Sequence, residues 1–571
     1  MKKMISLCTA LVLLAVSLCG CAPAEPVSAR AGATEGAVTS AGTVARLSVH
    51  DPSITKSKSG EYYVFGSHIA VGKSSDLLNW SEVYNGVGDD NRILVPEGST
   101  LREVLAEPLA WTDAYQTVQD YDEENWETNV WAPDVIYNEA MGKYCYYACS
   151  SVWGTTASVI WMATSDNIEG PYEYAGTLTY SGFNKKTKPL TDNAKDACHY
   201  SYTNLGALIE NGTFTKEEVE AQPWFDDNGS YDCTYGMYPN CIDPTVFYDA
   251  EGNLWMTYGS FSGGIYILPL VEETGMPDYA AMRASDGYDI YFGKQLTKTN
   301  EETAGTGEGP FIFYDGEYYY LLLSYGGLAA LGGYNIRLYR SETPDGDYTD
   351  AAGSSALEMK NTGLKLFGNY QLPGSKYACL SGGHCSALVD DDGKVYLVYH
   401  TRFNDGEGNF HCVQVHQMYK TADGWYMVLP RAYSGETISE NGYSRADIAG
   451  TYALVQHGSI TVKCADESDW SRVQDIISPT ITITLNADGT VTGYSPAAFE
   501  ANRILIQEIA VLSATWQVQR GTPYITLDFG GTKYTGVLCM QPSAGSQTSD
   551  MAMAISAKAD DNSTIWAVRT G

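Results

Sequence analysis

Five stretches of this 571-residue chain share one layout, and that repeat limits the fold more than any other feature. They are Asp51-Pro-Ser-Ile, Ala132-Pro-Asp-Val, Asp243-Pro-Thr-Val, Glu308-Gly-Pro-Phe and His384-Cys-Ser-Ala. Each leads into a Gly followed by a strand rich in Tyr or Trp, as in Gly60-Glu-Tyr-Tyr-Val-Phe and Gly316-Glu-Tyr-Tyr-Tyr-Leu. A recurring strand, glycine turn and aromatic strand is the pattern of a β-propeller with one four-stranded sheet per repeat. The chain is therefore expected to be all-β, with a five-bladed propeller over residues 47–440. The first strand of each blade lines the central channel, so Asp51, Ala132, Asp243, Glu308 and His384 are expected to occupy equivalent places at one mouth of it.

The remaining residues do not continue the repeat. From about Ala446 the texture changes to short alternating strands with polar turns, such as Thr480-Ile-Thr-Ile-Thr-Leu-Asn-Ala-Asp-Gly. Residues 446–571 read as a second, smaller all-β domain, a barrel or a sandwich. Two stretches inside the propeller, between Trp80 and Trp131 and over residues 181–236, read as long insertions that shape the channel rim.

At the N-terminus, Lys2-Lys3, an apolar run and Leu18-Cys19-Gly20-Cys21 resemble a bacterial lipoprotein signal over residues 1–21, with Cys21 as the lipidated residue. The run is shorter than the roughly 20 apolar residues that a membrane span needs. Residues 22–46, dominated by Ala, Gly, Ser and Thr, suit a flexible tether. The expected location is the outer face of a bacterial membrane, held only by the lipid. Of 13 cysteines, those after Cys21 show neither a disulfide framework nor paired Cys-x-x-Cys zinc spacing, and are expected to be mostly free and buried. A net charge of −34 argues against nucleic acid or an anionic polymer as partner and favours a neutral ligand.

A lone Asp before Pro is ordinarily a turn residue. Two Asp and one Glu recurring at a repeat position that is Ala in the second blade and His in the fifth are better explained by chemistry. Carboxylates facing one another across a narrow channel shift each other's titration, so one stays protonated while another ionises. Glycoside hydrolysis needs that division: an acid to protonate the leaving oxygen and a base to activate water, with carboxyl groups roughly 6.5 to 9.5 Å apart for inversion. Glu308 is the expected acid, Asp51 the base, and Asp243 the neighbour that orients Glu308 and raises its pKa. His384 reads either as a packed core histidine or as one ligand of a mostly hydrated cation. Trp131, Trp153 and Tyr325 are core aromatics or sugar-stacking platforms, and His400 and Arg402 start a strand near the axis.

The motifs His50-Asp-Pro-Ser-Ile, Asn129-Val-Trp-Ala-Pro-Asp-Val, Tyr238-Pro-Asn-Cys-Ile-Asp-Pro, Glu308-Gly-Pro-Phe, Gly332-Gly-Tyr-Asn-Ile-Arg, Gly383-His-Cys-Ser-Ala and Tyr399-His-Thr-Arg-Phe resemble glycoside hydrolase family 43. Within it they are similar to the two-domain extracellular endo-α-1,5-L-arabinanases. The resemblance implies an inverting hydrolase acting on arabinan, with Asp51, Asp243 and Glu308 in the roles above. It further implies substrate contacts at Asp51, Trp131, Gly154, Asn240, Cys241, Ile242, Asp243, Ser260, Phe261 and Ser262, and a Ca2+ ion held near the axis through His384. Cys385 stands where the family usually has Asn, and the insertion at 181–236 leaves open an exo-acting α-L-arabinofuranosidase or β-xylosidase. A catalytically inactive glycan-binding lipoprotein is the alternative of a different class.

Overall fold

The computed structural model describes residues 37–38, 44–45 and 47–571, apart from 117–128, 186–197, 232–237, 299–306, 359–361, 406–410, 495–512 and 544–549. The expected lipidation site Cys21, the leader around it, most of the tether and Cys233 lie outside the described residues. Among the described residues, no helix is long and apolar enough to cross a membrane.

Five sheets surround one axis. Blade 1 is built from Ser53–Lys56, Tyr62–Gly66, Ala70–Ser74 and Trp80–Tyr84. Blade 2 is built from Trp131–Asn138, Lys143–Ser151, Ser158–Ser165 and Glu173–Ser181. Blade 3 takes Thr245–Tyr248, Leu254–Ser260, Gly264–Val271 and Met276–Pro277, with Lys294–Gln295 as a further strand. Blade 4 takes Glu308–Tyr314, Tyr319–Tyr325, Asn335–Ser341 and Leu364–Lys365. Blade 5 takes Cys379–Val389, Val395–Phe403, Cys412–Lys420 and Tyr426–Val428. Leu47 closes the ring by accepting the Val413 N–H at 3.0 Å, so the start of the propeller is tied to its last blade.

The aromatic strands have a packing cause. Alternate residues of a strand point to opposite faces of its sheet, and a propeller blade is covered on both faces by its neighbours. In Lys143–Ser151, Tyr144, Tyr146 and Ala148 pack with blade 1 residues such as Tyr63 and Phe65. Cys145, Tyr147 and Cys149 pack the other way, with Met256 and Tyr258 of blade 3. Hydrogen bonds near the axis join one blade to the next. Ser53 donates to Asp134, Asp134 Oδ2 accepts from Val246 N at 2.7 Å, and Ser386 Oγ donates to Pro52 O at 2.9 Å.

Both long insertions contain helix. The first holds Leu101–Val104 and Ala106–Gln116, started by a capping box between Thr100 and Glu103, with Leu101, Leu105 and Leu109 packed on blades 1 and 2. The second holds Asn204–Glu210 and Lys216–Ala221, with a capping box between Thr215 and Glu218. It is anchored by Trp224, fully buried, whose indole N–H donates to Asp289 Oδ2 at 2.7 Å.

The C-terminal domain is a closed barrel of eight strands, from Gly450–His457 through Thr564–Arg569, in which the first and last strands pair. Its interior is filled by Leu454, Ile483, Trp516, Leu527, Leu538 and Ile555. The opposite faces of its first and last strands supply Ala453, Val455, Trp566 and Val568 to one continuous core with blades 4 and 5. All nine described cysteines are buried, and Cys145, Cys149, Cys241, Cys385, Cys464 and Cys539 are free thiols.

Candidate active site

The blades present their inner strands to the channel through one residue of left-handed backbone each. Asp51, Ala132, Asp243, Gly309 and His384 have φ of 54°, 41°, 56°, 57° and 42°. Left-handed backbone at a non-glycine residue costs on the order of 1 to 3 kcal/mol and is concentrated at functional sites. These angles also correct the repeat alignment. Gly309, not Glu308, is the blade 4 equivalent of Asp51, because the proline that follows the turn sets the register: Pro52, Pro133, Pro244 and Pro310. Glu308 sits one residue earlier, opposite Ser324. Glycine takes this conformation at 309 without strain, and a Cβ there would crowd the His384 ring at 3.1 Å.

The three acids and His384 do meet. Asp51 Oδ1 is 3.0 Å from His384 Nδ1 and 3.1 Å from His50 Nε2, and its other oxygen accepts from the Ser67 hydroxyl. Ser67 Oγ in turn accepts the Ala132 N–H at 2.8 Å, tying the base of blade 1 to the inner turn of blade 2. Asp243 Oδ2 accepts the Gly309 N–H at 3.1 Å, which fixes the backbone beside Glu308. Glu308 Oε1 accepts from the Tyr334 hydroxyl at 2.7 Å, a contact that nothing in the repeat pattern signals.

Electrostatics separate the two outer acids. Burial raises the pKa of Asp51, but the neighbouring charge of His384 and its hydrogen bond outweigh it and hold Asp51 well below the usual carboxylate range. Burial first, and the Asp243 charge second, push Glu308 up to about 8. Asp243 itself rises to about 6, through burial and the Asp51 charge, against the pull of His384. His384 is raised to about 9 because Asp51 and Asp243 outweigh its burial. At neutral pH the site thus holds an ionised Asp51 and a protonated Glu308.

The expected substrate contacts divide. Gly154 (φ 77°) lies in the hairpin between the second and third strands of blade 2, at the channel mouth, beside Trp153, which is 74% exposed. Trp131 starts the inner strand of blade 2 and packs partly against the core. Ser260, Phe261 and Ser262 form the corresponding blade 3 hairpin, and Ser262 accepts the Asn240 N–H at 3.0 Å. Asn240 Oδ1 accepts from Ser158 Oγ at 2.7 Å, so that side chain braces blades 2 and 3. Cys241 and Ile242 do not fit the contact role. Cys241 is fully buried with its thiol 3.6 Å from Thr179 Oγ1, and both side chains belong to the core between blades 2 and 3. Tyr325 is also no sugar platform, being buried with its hydroxyl 2.7 Å from that of Tyr339.

Two histidine arrangements bear on metal binding. His384 spends Nδ1 on Asp51, which leaves Nε2 as its remaining ligand atom, amid three carboxyl groups. One imidazole among oxygen donors fits a hard, largely hydrated cation. His50, His400 and His411 bring ring nitrogens within 4.8 Å of one another. However, His400 Nδ1 already accepts the Asp51 N–H at 3.1 Å and His411 Nε2 faces Arg402 Nη2 at 2.8 Å, so two lone pairs are taken. Burial lowers the pKa of all three, and they form a neutral wall behind the base.

Comparison with known proteins gives the same direction. A profile described as glycosyl hydrolases family 43 matches residues 192–426, and one described as a C-terminal lipocalin-like domain of that family matches 430–567. The chain is 36% identical over 461 residues to an extracellular endo-α-(1→5)-L-arabinanase of Thermotoga petrophila, covering 78% of this chain and 81% of that protein. It is 35% identical over 517 residues to extracellular endo-α-(1→5)-L-arabinanase 2 of Bacillus subtilis, with 87% of each covered. The crystal structure of the Thermotoga petrophila RKU-1 endo-1,5-α-L-arabinanase superposes with a TM-score of 0.70 at 32% identity, covering 93% of this chain and 100% of that one. Likeness of this extent runs through both domains and includes the turn that carries Asp51, upstream of the matched profile, and on it the chain belongs to glycosyl hydrolase family 43.

Proposed function

We propose that this glycoside hydrolase cleaves internal α-1,5-L-arabinofuranosyl linkages of arabinan with inversion at the anomeric carbon. The observation that carries the reading is the meeting of Asp51, Asp243 and Glu308 at one channel mouth, with Asp51 paired to His384 and Glu308 buried beside Asp243 under the Tyr334 hydroxyl. Glu308 gives its proton to the leaving oxygen as the C1–O bond breaks. Asp51 takes a proton from the water whose oxygen bonds to C1 from the opposite face. Asp243 holds the Gly309 amide and keeps Glu308 protonated. Relatives named as endo-α-(1→5)-L-arabinanases, matched over most of both lengths, support the substrate. Linear arabinan digested for short times should yield oligosaccharides first; monosaccharide alone throughout would favour an exo-acting enzyme. Glu308→Gln should abolish turnover of the polysaccharide while leaving sugar affinity nearly intact.

Calcium at His384 is part of the same reading. On binding, the ion would displace the Nε2 proton of His384 and leave the other on Nδ1, where it donates to Asp51. The ion would add positive charge behind the ionised base. His384→Ala should lose bound calcium on dialysis and elemental analysis, and unchanged metal content would refute the ligand role. The names of the relatives place them outside the cell, which supports export here. Lipid attachment at Cys21 is tested by detergent phase partition of wild type and Cys21→Ser.

A further inference from the structure

Tyr334 lies on the loop between the second and third strands of blade 4, is 1% exposed, and touches the general acid. From this contact we propose that Tyr334 is the positioning residue that fixes the catalytic proton on Oε2 of Glu308. The inference rests on the hydrolase reading above and adds to it a group that decides which oxygen of the acid is loaded.

The chemistry follows from donor and acceptor roles. A protonated carboxyl has one carbonyl oxygen, the better acceptor, and one hydroxyl, the donor. Tyr334, buried and next to a carboxyl group, stays neutral and so donates. Its O–H reaches Oε1 at 2.7 Å, which makes Oε1 the carbonyl and places the acidic hydrogen on Oε2. Oε2 makes no hydrogen bond among the described residues, so its proton is available to a leaving oxygen. Transfer of that proton leaves a carboxylate, and the same O–H then stabilises the new charge on Oε1.

The loop is built to hold the hydroxyl still. The Tyr334 ring stacks on His400 at 5.9 Å and lies against Gly383, where a Cβ would fall 2.2 Å from the ring. Ser381 Oγ donates to Ala329 O at 2.8 Å and to Ala330 O at 3.0 Å. Cys464 N of the barrel domain donates to Leu331 O at 3.0 Å. Asn335 Nδ2 donates to Gly333 O at 2.9 Å.

Tyr334→Phe removes the O–H and keeps the ring. With linear arabinan, whose leaving group is a sugar hydroxyl that needs the proton, kcat should fall on the order of 10- to 100-fold, part of the ~10² to 10⁴ that a general acid contributes. With 4-nitrophenyl α-1,5-L-arabinobioside, whose phenolate departs without a proton, kcat should fall less than about threefold. Ser381→Ala, which loosens the loop without touching Glu308, should give a smaller loss with the same dependence on leaving group. Equal losses on both substrates in the two variants, or no loss on arabinan in Tyr334→Phe, would overturn the proposal. A wild type that turns over neither substrate would instead sink the hydrolase reading itself.

Discussion

Asp51 Oδ1 and His384 Nδ1 lie 3.0 Å apart, joining the inner turns of the first and last blades, which are neighbours in the closed ring. Each residue sets the charge state of the other: His384 keeps Asp51 ionised, and Asp51 keeps His384 protonated. Ring closure is therefore a requirement for the chemistry as well as for the fold.

Removing that partner should be visible in the pH profile. Burial alone raises the pKa of Asp51, and the largest opposing influence is His384. His384→Ala should move the acidic limb of kcat/KM upward by roughly 1 to 3 pH units, the range that an adjacent opposite charge provides. A limb that stays in place would show that His384 does not set the charge of the base.

Asp243 acts with the opposite sign on the acid. Its charge is the second cause, after burial, that raises Glu308 to about 8. Asp243→Asn keeps an acceptor for the Gly309 N–H but removes the charge, so the basic limb of the profile should move to lower pH. An upward shift would contradict the assignment of Glu308 as the proton donor.

The same group makes stability depend on pH. The folded Glu308 carboxyl titrates near 8, against 4.5 as its ordinary value. Between those values the folded chain holds a proton that the unfolded chain has lost, so stability falls as pH rises through the window. Glu308→Gln cannot ionise. Its Tm relative to wild type should be higher at pH 9 than at pH 5, by about 3 °C or more, as read by differential scanning calorimetry.

Much of this was legible in the sequence because the repeat is carried by residues whose conformation is nearly obligatory. The prolines after Asp51, Ala132 and Asp243 and the glycines before the aromatic strands mark turns whatever surrounds them. Glu308 falls one residue before the repeat position for a physical reason: glycine takes the left-handed place at 309, where a side chain would crowd His384. Tyr334 was hidden because its role depends on a loop folding back onto Gly383, a contact between blades without local signature. The helices of the two insertions are short, and their capping boxes at Thr100 and Thr215 were the available sign. The role of Trp566 was equally illegible, since a barrel strand does not announce which of its faces meets another domain.

The shared core predicts that the two domains unfold together. Trp566 is fully buried, with Phe367 at 5.4 Å and Tyr370 at 4.9 Å between ring centroids. Trp566→Ala should cost about 3 to 5 kcal/mol, lowering a single calorimetric transition. A second transition appearing in the variant or the wild type would mean that the interface does not couple the domains.

The opposed charge states of Asp51 and Glu308 can be measured directly by 13C NMR titration of carboxyl-labelled protein, with Asp51→Asn and Glu308→Gln spectra assigning the two resonances. The structure predicts that the Glu308 resonance titrates near pH 8 while that of Asp51 stays ionised to well below pH 3.8. A Glu308 carboxyl titrating near its ordinary 4.5, so that both acids are ionised at neutral pH, would contradict the division between proton donor and base.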